Sequence, residues 1–218
     1  MEISSKITES QGSEPRIRYY KKGQTILKPD GDIKQVYFLR KGLVRQYWVS
    51  EEGEEITINI FKPGALFPLM LVIAKKTNRH YFEALTETET QELGAQSSLE
   101  AIKNSPQLLY EFTEKFALAL DSLALRIELL ASRASSAKIL LFLDYLVKNF
   151  GTETNSGKIH ISLTFTHSDI ASWVGTRRET VTRSLEKYSK NKMISLDKGL
   201  ITIEDKGMFL DEIAKFKN

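Results

Sequence analysis

The sequence contains no cysteine and only three histidines, and these shortages exclude several classes of protein. Without thiols, the chain cannot form disulfides, thiolate zinc or iron–sulfur sites, or a cysteine-based redox sensor. The histidines (His80, His160 and His167) lack the spacing of metal-binding motifs, so we predict no metal site. Nucleophile elbows, phosphate loops and dinucleotide fingerprints are also missing, so we expect no catalytic residues, no cofactor and no enzyme activity.

Long apolar runs are absent as well. No segment approaches the roughly 20 apolar residues of a membrane-spanning helix. The polar residues 1–16 lack the apolar region of a secretory signal. We therefore predict a cytoplasmic protein with no membrane partner. A composition of 41% hydrophobic and 27% charged residues over 218 positions indicates one large or two modest globular domains.

Residues 17–97 have the pattern of an antiparallel β domain. Short segments rich in β-branched and aromatic residues alternate with turns, and glycines recur every 11 residues, at Gly31, Gly42, Gly53 and Gly64. Glycine readily adopts the positive φ that tight turns need. Strands closed by such regular turns predict a sandwich or barrel. The alternative, a flat meander, would need its edges covered.

From about Pro106 the hydrophobic period changes to that of a helix. Five apolar residues recur in alternating steps of four and three: Phe116, Leu120, Leu123, Ile127 and Leu130. We call these five the seam, because a repeat of about 3.5 residues is typical of paired helices. The pattern predicts a helix of about 25 residues that pairs with a second copy. The alternative is a helix buried within one monomer.

A second apolar stripe and a second helix complete this region. Leu118, Leu125 and Leu129 lie on another face of the long helix, where we expect packing on the barrel. The stretch 133–136 interrupts the seam, and a helix over 137–148 follows, with Gly151 as its stop. Residues 152–159 are predicted to be a polar loop.

Residues 163–205 carry the strongest local signal. Thr166 and Asp169 have capping-box spacing before a short apolar helix, and Gly175 provides a tight turn. We predict that Thr176 caps a second helix that begins at Arg177. Two short strands, 193–196 and 200–203, then flank a turn at 197–199. Together these elements predict a winged helix-turn-helix.

The net charge of +3 is concentrated in the same region. Residues 1–134 carry 18 basic and 18 acidic side chains, whereas residues 135–218 carry 13 basic and 10 acidic ones. Within Arg177–Lys192 the numbers are six and two. A solvated helix face and nucleic-acid contact explain this cluster equally well on charge alone.

The segment Val174–Arg183 resembles the recognition helix of the cyclic-AMP receptor and fumarate–nitrate regulator (Crp/Fnr) family, in which R-E-T-V-x-R recurs. Tyr20–Ile26, Val36–Arg45 and Lys62–Gly64 resemble barrel segments of the same family. The resemblance covers nearly the whole chain and implies an α+β fold. It implies an antiparallel jelly-roll, cyclic-nucleotide-binding-like sensor barrel over residues 1–105, a dimerisation helix over 106–134 and a winged-helix DNA-binding domain over 135–218.

The resemblance also implies a homodimeric, sequence-specific transcription regulator that binds a pseudo-palindromic double-stranded operator with half-sites similar to TGTGA. Arg178, Glu179 and Arg183 would read bases, since guanidinium groups pair with guanine and carboxylates accept from cytosine. The expected contacts to the DNA backbone are Thr176, Arg177, Thr180, Thr182 and Lys198, with plain surface polarity as the alternative for each. RNA polymerase is a candidate further partner.

The barrel departs from the family at its ligand cassette, which pairs Gly-Glu-Leu with Arg-Ser/Thr-Ala. Here Ala65 replaces the glutamate, and His80 and a tyrosine follow the arginine. We therefore expect no dependence on cyclic AMP. The candidate contacts for an unidentified small-molecule effector are Leu66, Phe67, Arg79 and Tyr81, although Arg79 could be an ordinary surface residue. The competing function is a ligand-binding signalling module without sequence-specific DNA recognition.

Overall fold

The computed structural model describes residue 7, residues 16–131 and residues 135–217. The chain divides into two compact units, Met1–Ala119 and Leu120–Asn218, and the division falls inside one long helix. The fold is α+β, as predicted. Across the described ranges, no helix is long and apolar enough to cross a membrane. The same ranges contain no cluster of side chains that could hold a metal ion.

The first unit is a jelly roll, as predicted, and its described residues form eight strands. Its two antiparallel four-stranded sheets have the strand orders β1-β8-β3-β6 and β2-β7-β4-β5. The strands are β1 (Arg16–Tyr20), β2 (Thr25–Leu27), β3 (Gln35–Lys41), β4 (Val44–Val49), β5 (Glu55–Phe61), β6 (Leu66–Phe67), β7 (Tyr81–Ala84) and β8 (Thr88–Gly94). Helix α1 (Leu69–Ile73) follows β6, and helix α2 (Ala95–Asn104) follows β8.

Strand β3 is buried on both faces, which explains its continuous apolar run. Tyr37 and Leu39 contact the aromatic cluster inside the barrel, which is formed with Phe61, Phe67 and Phe82. Successive side chains of a strand point to opposite faces. The intervening residues of β3 pack against Ala95, Ala101, Ile102 and Leu108 on the helical side.

The regular glycine turns are present at three of the four predicted positions. Gly42, Gly53 and Gly64 have φ values of 83°, 80° and 91°. At the remaining turn, the residue with positive φ is Asp30, at 63°, and Gly31 is not left-handed. Aspartate tolerates this conformation better than most residues, so the sequence Asp-Gly does not determine which residue adopts it.

The long helix α3 (Pro106–Ala131) has 26 residues and confirms the helix predicted from the seam. The remaining elements are α4 (Ser135–Phe150), β9 (Gly151–Glu153), β10 (Ile159–Thr164), α5 (His167–Val174), α6 (Arg178–Lys190), β11 (Ile194–Asp197), β12 (Leu200–Ile203) and α7 (Lys206–Lys217). The third sheet has the strand order β11-β12-β10-β9. Of the predicted interruption of the seam, residues 133 and 134 lie outside the described residues.

The predicted polar loop over residues 152–159 is present but shorter, over residues 154–158, because residues 152, 153 and 159 belong to strands. Strand β9 pairs with β10, with Glu153 opposite Ile159 and Thr152 opposite His160. All three residues of β9 are exposed, so the strand has no apolar face to produce an alternating pattern.

Candidate DNA-binding site

The helix α5 is fixed at both ends by local interactions. The hydroxyl of Thr166 accepts a hydrogen bond from the Asp169 amide at 3.1 Å. In return, the Asp169 carboxylate accepts one from the Thr166 amide at 2.8 Å. Gly175 ends the helix in the left-handed conformation, with φ of 62°. The predicted capping box and glycine turn are both confirmed, so the chain enters α6 in a defined direction.

The helix α6 has one buried face and one face open to solvent. Val181 and Leu185 are fully buried, and the Tyr188 hydroxyl donates a hydrogen bond to the Ser136 carbonyl at 3.0 Å. On the other side, three exposed side chains and one half-buried threonine line an open surface depression: Arg178, Glu179, Arg183 and Thr182. The structure therefore brings together the three residues predicted to read bases, on one accessible surface.

The beginning of α6 differs from the prediction. The helix begins at Arg178 with Arg177 as its N-cap, and no side chain caps it. Thr176 still belongs to the turn, because its amide bonds the Ala171 carbonyl at 3.2 Å and its hydroxyl donates to Ser135 at 3.5 Å. A helix N-terminus without a side-chain cap leaves amide groups that suit a phosphate. Of the residues expected at phosphates here, Arg177 is exposed and Thr180 is half-buried.

Thr182 is already engaged within the protein. Its hydroxyl donates to the Arg178 carbonyl at 3.1 Å, and the His167 Nδ1 atom lies 2.8 Å from the same oxygen. Which atom donates in this second bond depends on the tautomer of His167, because the hydroxyl has only one proton. His167 is half-buried, between the two helices. No sequence spacing links these two residues, so the pattern alone could not reveal this contact.

Lys198 lies in the turn between strands β11 and β12, which form the wing of the winged helix-turn-helix. It adopts a φ of 47° and Gly199 one of 85°, between the paired residues Asp197 and Leu200. Two consecutive positive φ values are typical of a tight two-residue hairpin turn. The Lys198 side chain is exposed there.

The seam of α3 is an exposed apolar surface in the single chain. Four of its side chains, Leu120, Leu123, Ile127 and Leu130, are 50%, 43%, 68% and 39% exposed, and Phe116 is half-buried. Monomeric proteins rarely expose a continuous apolar stripe of this kind to water.

In the second stripe of α3, Leu118 does not pack on the barrel as we expected. Leu118 is 64% exposed, which leaves it in contact with water rather than with an apolar partner. The side chains of Leu125 and Leu129 lie outside what the structure describes. The helical period predicted the stripe itself, but it contains no information about what covers each face.

The four candidate effector contacts have different surroundings in the structure. Phe67 lies inside the aromatic cluster of the barrel, and Leu66 packs against the two apolar clusters on the helical side. Arg79 is exposed, and the Tyr81 ring stacks on Tyr47 with 5.1 Å between their centroids. The described residues therefore do not bring these four side chains around one common space.

Comparisons with known proteins agree with this architecture. A family model for the cyclic nucleotide-binding domain matches residues 17–105, and one for the Crp-like helix-turn-helix domain matches residues 137–209. A global nitrogen regulator from Nostoc sp. is 30% identical over 87% of this chain and 85% of its own length. The corresponding protein from Synechocystis sp. is 30% identical over 88% and 85%.

Solved structures show the same fold. A transcriptional regulator of the CRP/FNR family from Thermus thermophilus superposes with a TM-score of 0.74 and 26% identity, over 91% of this chain and 98% of that chain. The c-di-GMP responsive regulator CLP of Xanthomonas campestris has a TM-score of 0.78 at 16% identity, over 92% and 99%. With the jelly roll, the long helix and the winged helix-turn-helix all in place, the chain belongs to the Crp/Fnr family of transcription regulators.

Proposed function

We propose that the protein is a cytoplasmic homodimer that binds a specific DNA sequence and regulates transcription, without catalytic activity. The observation that carries this proposal is the exposed group Arg178, Glu179 and Arg183 on a helix whose opposite face is buried. Such a helix is anchored firmly enough to present its side chains to base edges in the major groove. RNA polymerase is the protein partner we expect for the bound regulator.

The chemistry of the three side chains supports base reading. Each arginine can donate two hydrogen bonds to guanine, and the Glu179 carboxylate can accept one from cytosine; a good pair discriminates by about 1–3 kcal/mol. By resemblance to the family, the half-sites are similar to TGTGA. Arg177, Thr180 and Lys198 would contact phosphates, which position the protein without reading sequence. Thr176 and Thr182 would reach the backbone only by giving up or sharing their present hydrogen bonds.

The exposed seam supports the homodimer. Pairing two copies of α3 through Leu120, Leu123, Ile127 and Leu130 would remove these side chains from water, at about 25 cal/mol for each Å² of apolar area buried. A dimer would present two α6 helices to successive major grooves, about one helical turn apart. In functional terms, residues 1–105 would form the sensor barrel, 106–134 the dimerisation helix and 135–218 the DNA-binding domain.

We also propose that DNA binding does not depend on cyclic AMP. Ala65 provides no carboxylate for a ribose, Arg79 is exposed, and the aromatic rings of Phe61, Phe67 and Phe82 occupy the barrel interior. Since a ligand that binds the native state must stabilise it, cyclic AMP should not raise the melting temperature. A saturable rise of several degrees would contradict this part of the proposal.

Selection of targets from random double-stranded DNA by the purified full chain tests the proposal. We expect enrichment of one motif with two inverted half-sites, whose affinity exceeds that of random DNA by at least about a thousandfold. The opposite outcome is that all duplexes bind equally weakly and that modest salt abolishes this binding for every sequence. Counterion release would then be the only source of affinity. That outcome would favour the second candidate, a signalling module that does not read DNA sequence.

A further inference from the structure

Arg126 of α3 connects the long helix to the helix-turn-helix. The carbon atom of its guanidinium lies 4.1 Å from the centroid of the Trp173 ring. Its Nη2 atom also donates a hydrogen bond to the Trp173 carbonyl at 3.3 Å. The Trp173 ring is buried and stacks on Tyr145, with 5.2 Å between the centroids. This one arginine therefore links α3 to α5, and through the stacked rings to α4.

The contact holds a charged group in a place where water cannot solvate it well. Burial lowers the pKa of Arg126 to about 10. Two interactions offset the free-energy cost of burying the charged guanidinium. The guanidinium stacks on the face of an indole, and it bonds a carbonyl in the last turn of α5, where the helix dipole favours a cation. A lysine cannot reproduce both, because its ammonium group is a compact point charge without a planar face.

Arg126 also flanks the seam. It immediately precedes Ile127 and follows Leu123 by three residues, which is the position beside the apolar core in a pair of helices. Side chains at such positions commonly reach toward the partner helix. Here the side chain is directed instead to Trp173 of its own chain. The same turn of α3 thus carries both the proposed dimer contact and the contact to the helix-turn-helix.

We propose that Arg126 is a positioning residue that sets the orientation of the helix-turn-helix relative to the seam. This inference rests on the proposed dimeric DNA binding. Trp173 precedes Gly175 by two residues, and the left-handed turn at Gly175 directs α6. A shift of Trp173 therefore displaces the recognition helix. In a dimer, the orientation of each α6 relative to the seam determines the distance between the two half-sites that can be bound together.

The test uses the full chain and DNA in which two copies of the selected half-site are separated by spacers that vary in single base pairs. Arg126→Met removes the charge and keeps an apolar stem, and Glu128→Met is the control at an exposed position of the same helix. We expect the wild type and the control to prefer one spacing. Arg126→Met should bind DNA of that spacing about tenfold more weakly than the wild type does. It should bind DNA of the neighbouring spacings nearly as tightly as DNA of that spacing. Its affinity for a single half-site, its base preference and its dimer in sedimentation should not change.

An unchanged spacing preference in Arg126→Met would overturn the inference, and so would an equal loss of affinity for the single half-site. If circular dichroism shows that this variant does not fold, Arg126→Lys decides by the same readout, because it keeps a cation without the planar stack. A wild type that selects no motif would instead refute the proposed function, whatever the behaviour of the Arg126 variants.

Discussion

The imidazole of His167 and the hydroxyl of Thr182 are joined by a hydrogen bond of 2.8 Å between Nδ1 and Oγ1. This bond ties the first turn of α5 to the side of α6 that faces away from the core. Thr182 also donates to the Arg178 carbonyl, so it links His167 to the first turn of α6. It fixes the angle between the two helices close to the side chains that we assign to base reading.

Replacing His167 should therefore weaken DNA binding without removing base preference. In His167→Ala, we expect an affinity loss of about fivefold for the selected operator, because one hydrogen bond contributes about 1 kcal/mol. Fluorescence anisotropy with labelled operator measures the change, and Ser168→Ala is the control on the neighbouring exposed residue. Thr182→Val should behave like His167→Ala, and the double variant should lose little more. Additive losses would show that the two side chains act separately.

The base-reading residues and the wing should differ in the kind of effect they have. Arg178→Ala and Glu179→Ala remove the base contacts that we propose, so each should relax selection at one or two positions of the half-site, at about 1–3 kcal/mol. Lys198→Ala removes the phosphate contact that we propose, so it should weaken binding to all sequences about equally and reduce the salt dependence by about one counterion. Selection experiments with each variant provide the comparison. Motifs that stay unchanged in the first two variants would contradict their assignment.

A charge placed in the seam should split the dimer. In Leu123→Glu, pairing would bury a carboxylate among apolar side chains, which costs several kcal/mol, so we expect a monomer in sedimentation velocity. Ser122→Glu adds the same charge at the adjacent exposed position outside the seam and should remain dimeric. A dimer in both variants would mean that the chain associates through another surface.

The sequence predicted the structure best where a local motif determines the start, end or type of an element. Both ends of α5 were predicted from Thr166, Asp169 and Gly175. A capping box and a left-handed glycine involve only residues that are close in sequence, so the sequence shows them directly. The alternating steps of the seam predicted α3, since its period differs from that of a strand. In both cases the signal lies within a few turns of the chain and does not depend on tertiary contacts.

The predictions failed for segments whose structure depends on contacts with distant parts of the chain. Strand β9 forms because β10 offers it an edge, although its own residues are polar on both faces. Thr176 does not cap α6, because its amide completes the preceding turn and its hydroxyl bonds Ser135. The contacts of Arg126 with Trp173 and of His167 with Thr182 likewise join residues that lie 47 and 15 positions apart. Patterns of period and spacing contain no information about such pairs.

Two glycines of the barrel should respond differently to the same substitution. Gly42 and Gly53 have nearly equal φ values of 83° and 80°, so alanine brings similar backbone strain of about 1 kcal/mol at both positions. A Cβ atom at Gly42 would also overlap the Glu87 carbonyl oxygen and lie 2.6 Å from Thr88 Oγ1, whereas the described surroundings of Gly53 are open. Urea unfolding should therefore show that Gly42→Ala lowers the free energy of unfolding by about 2–4 kcal/mol and Gly53→Ala by about 1 kcal/mol. Equal losses would mean that strand β8 moves away from the turn at little cost.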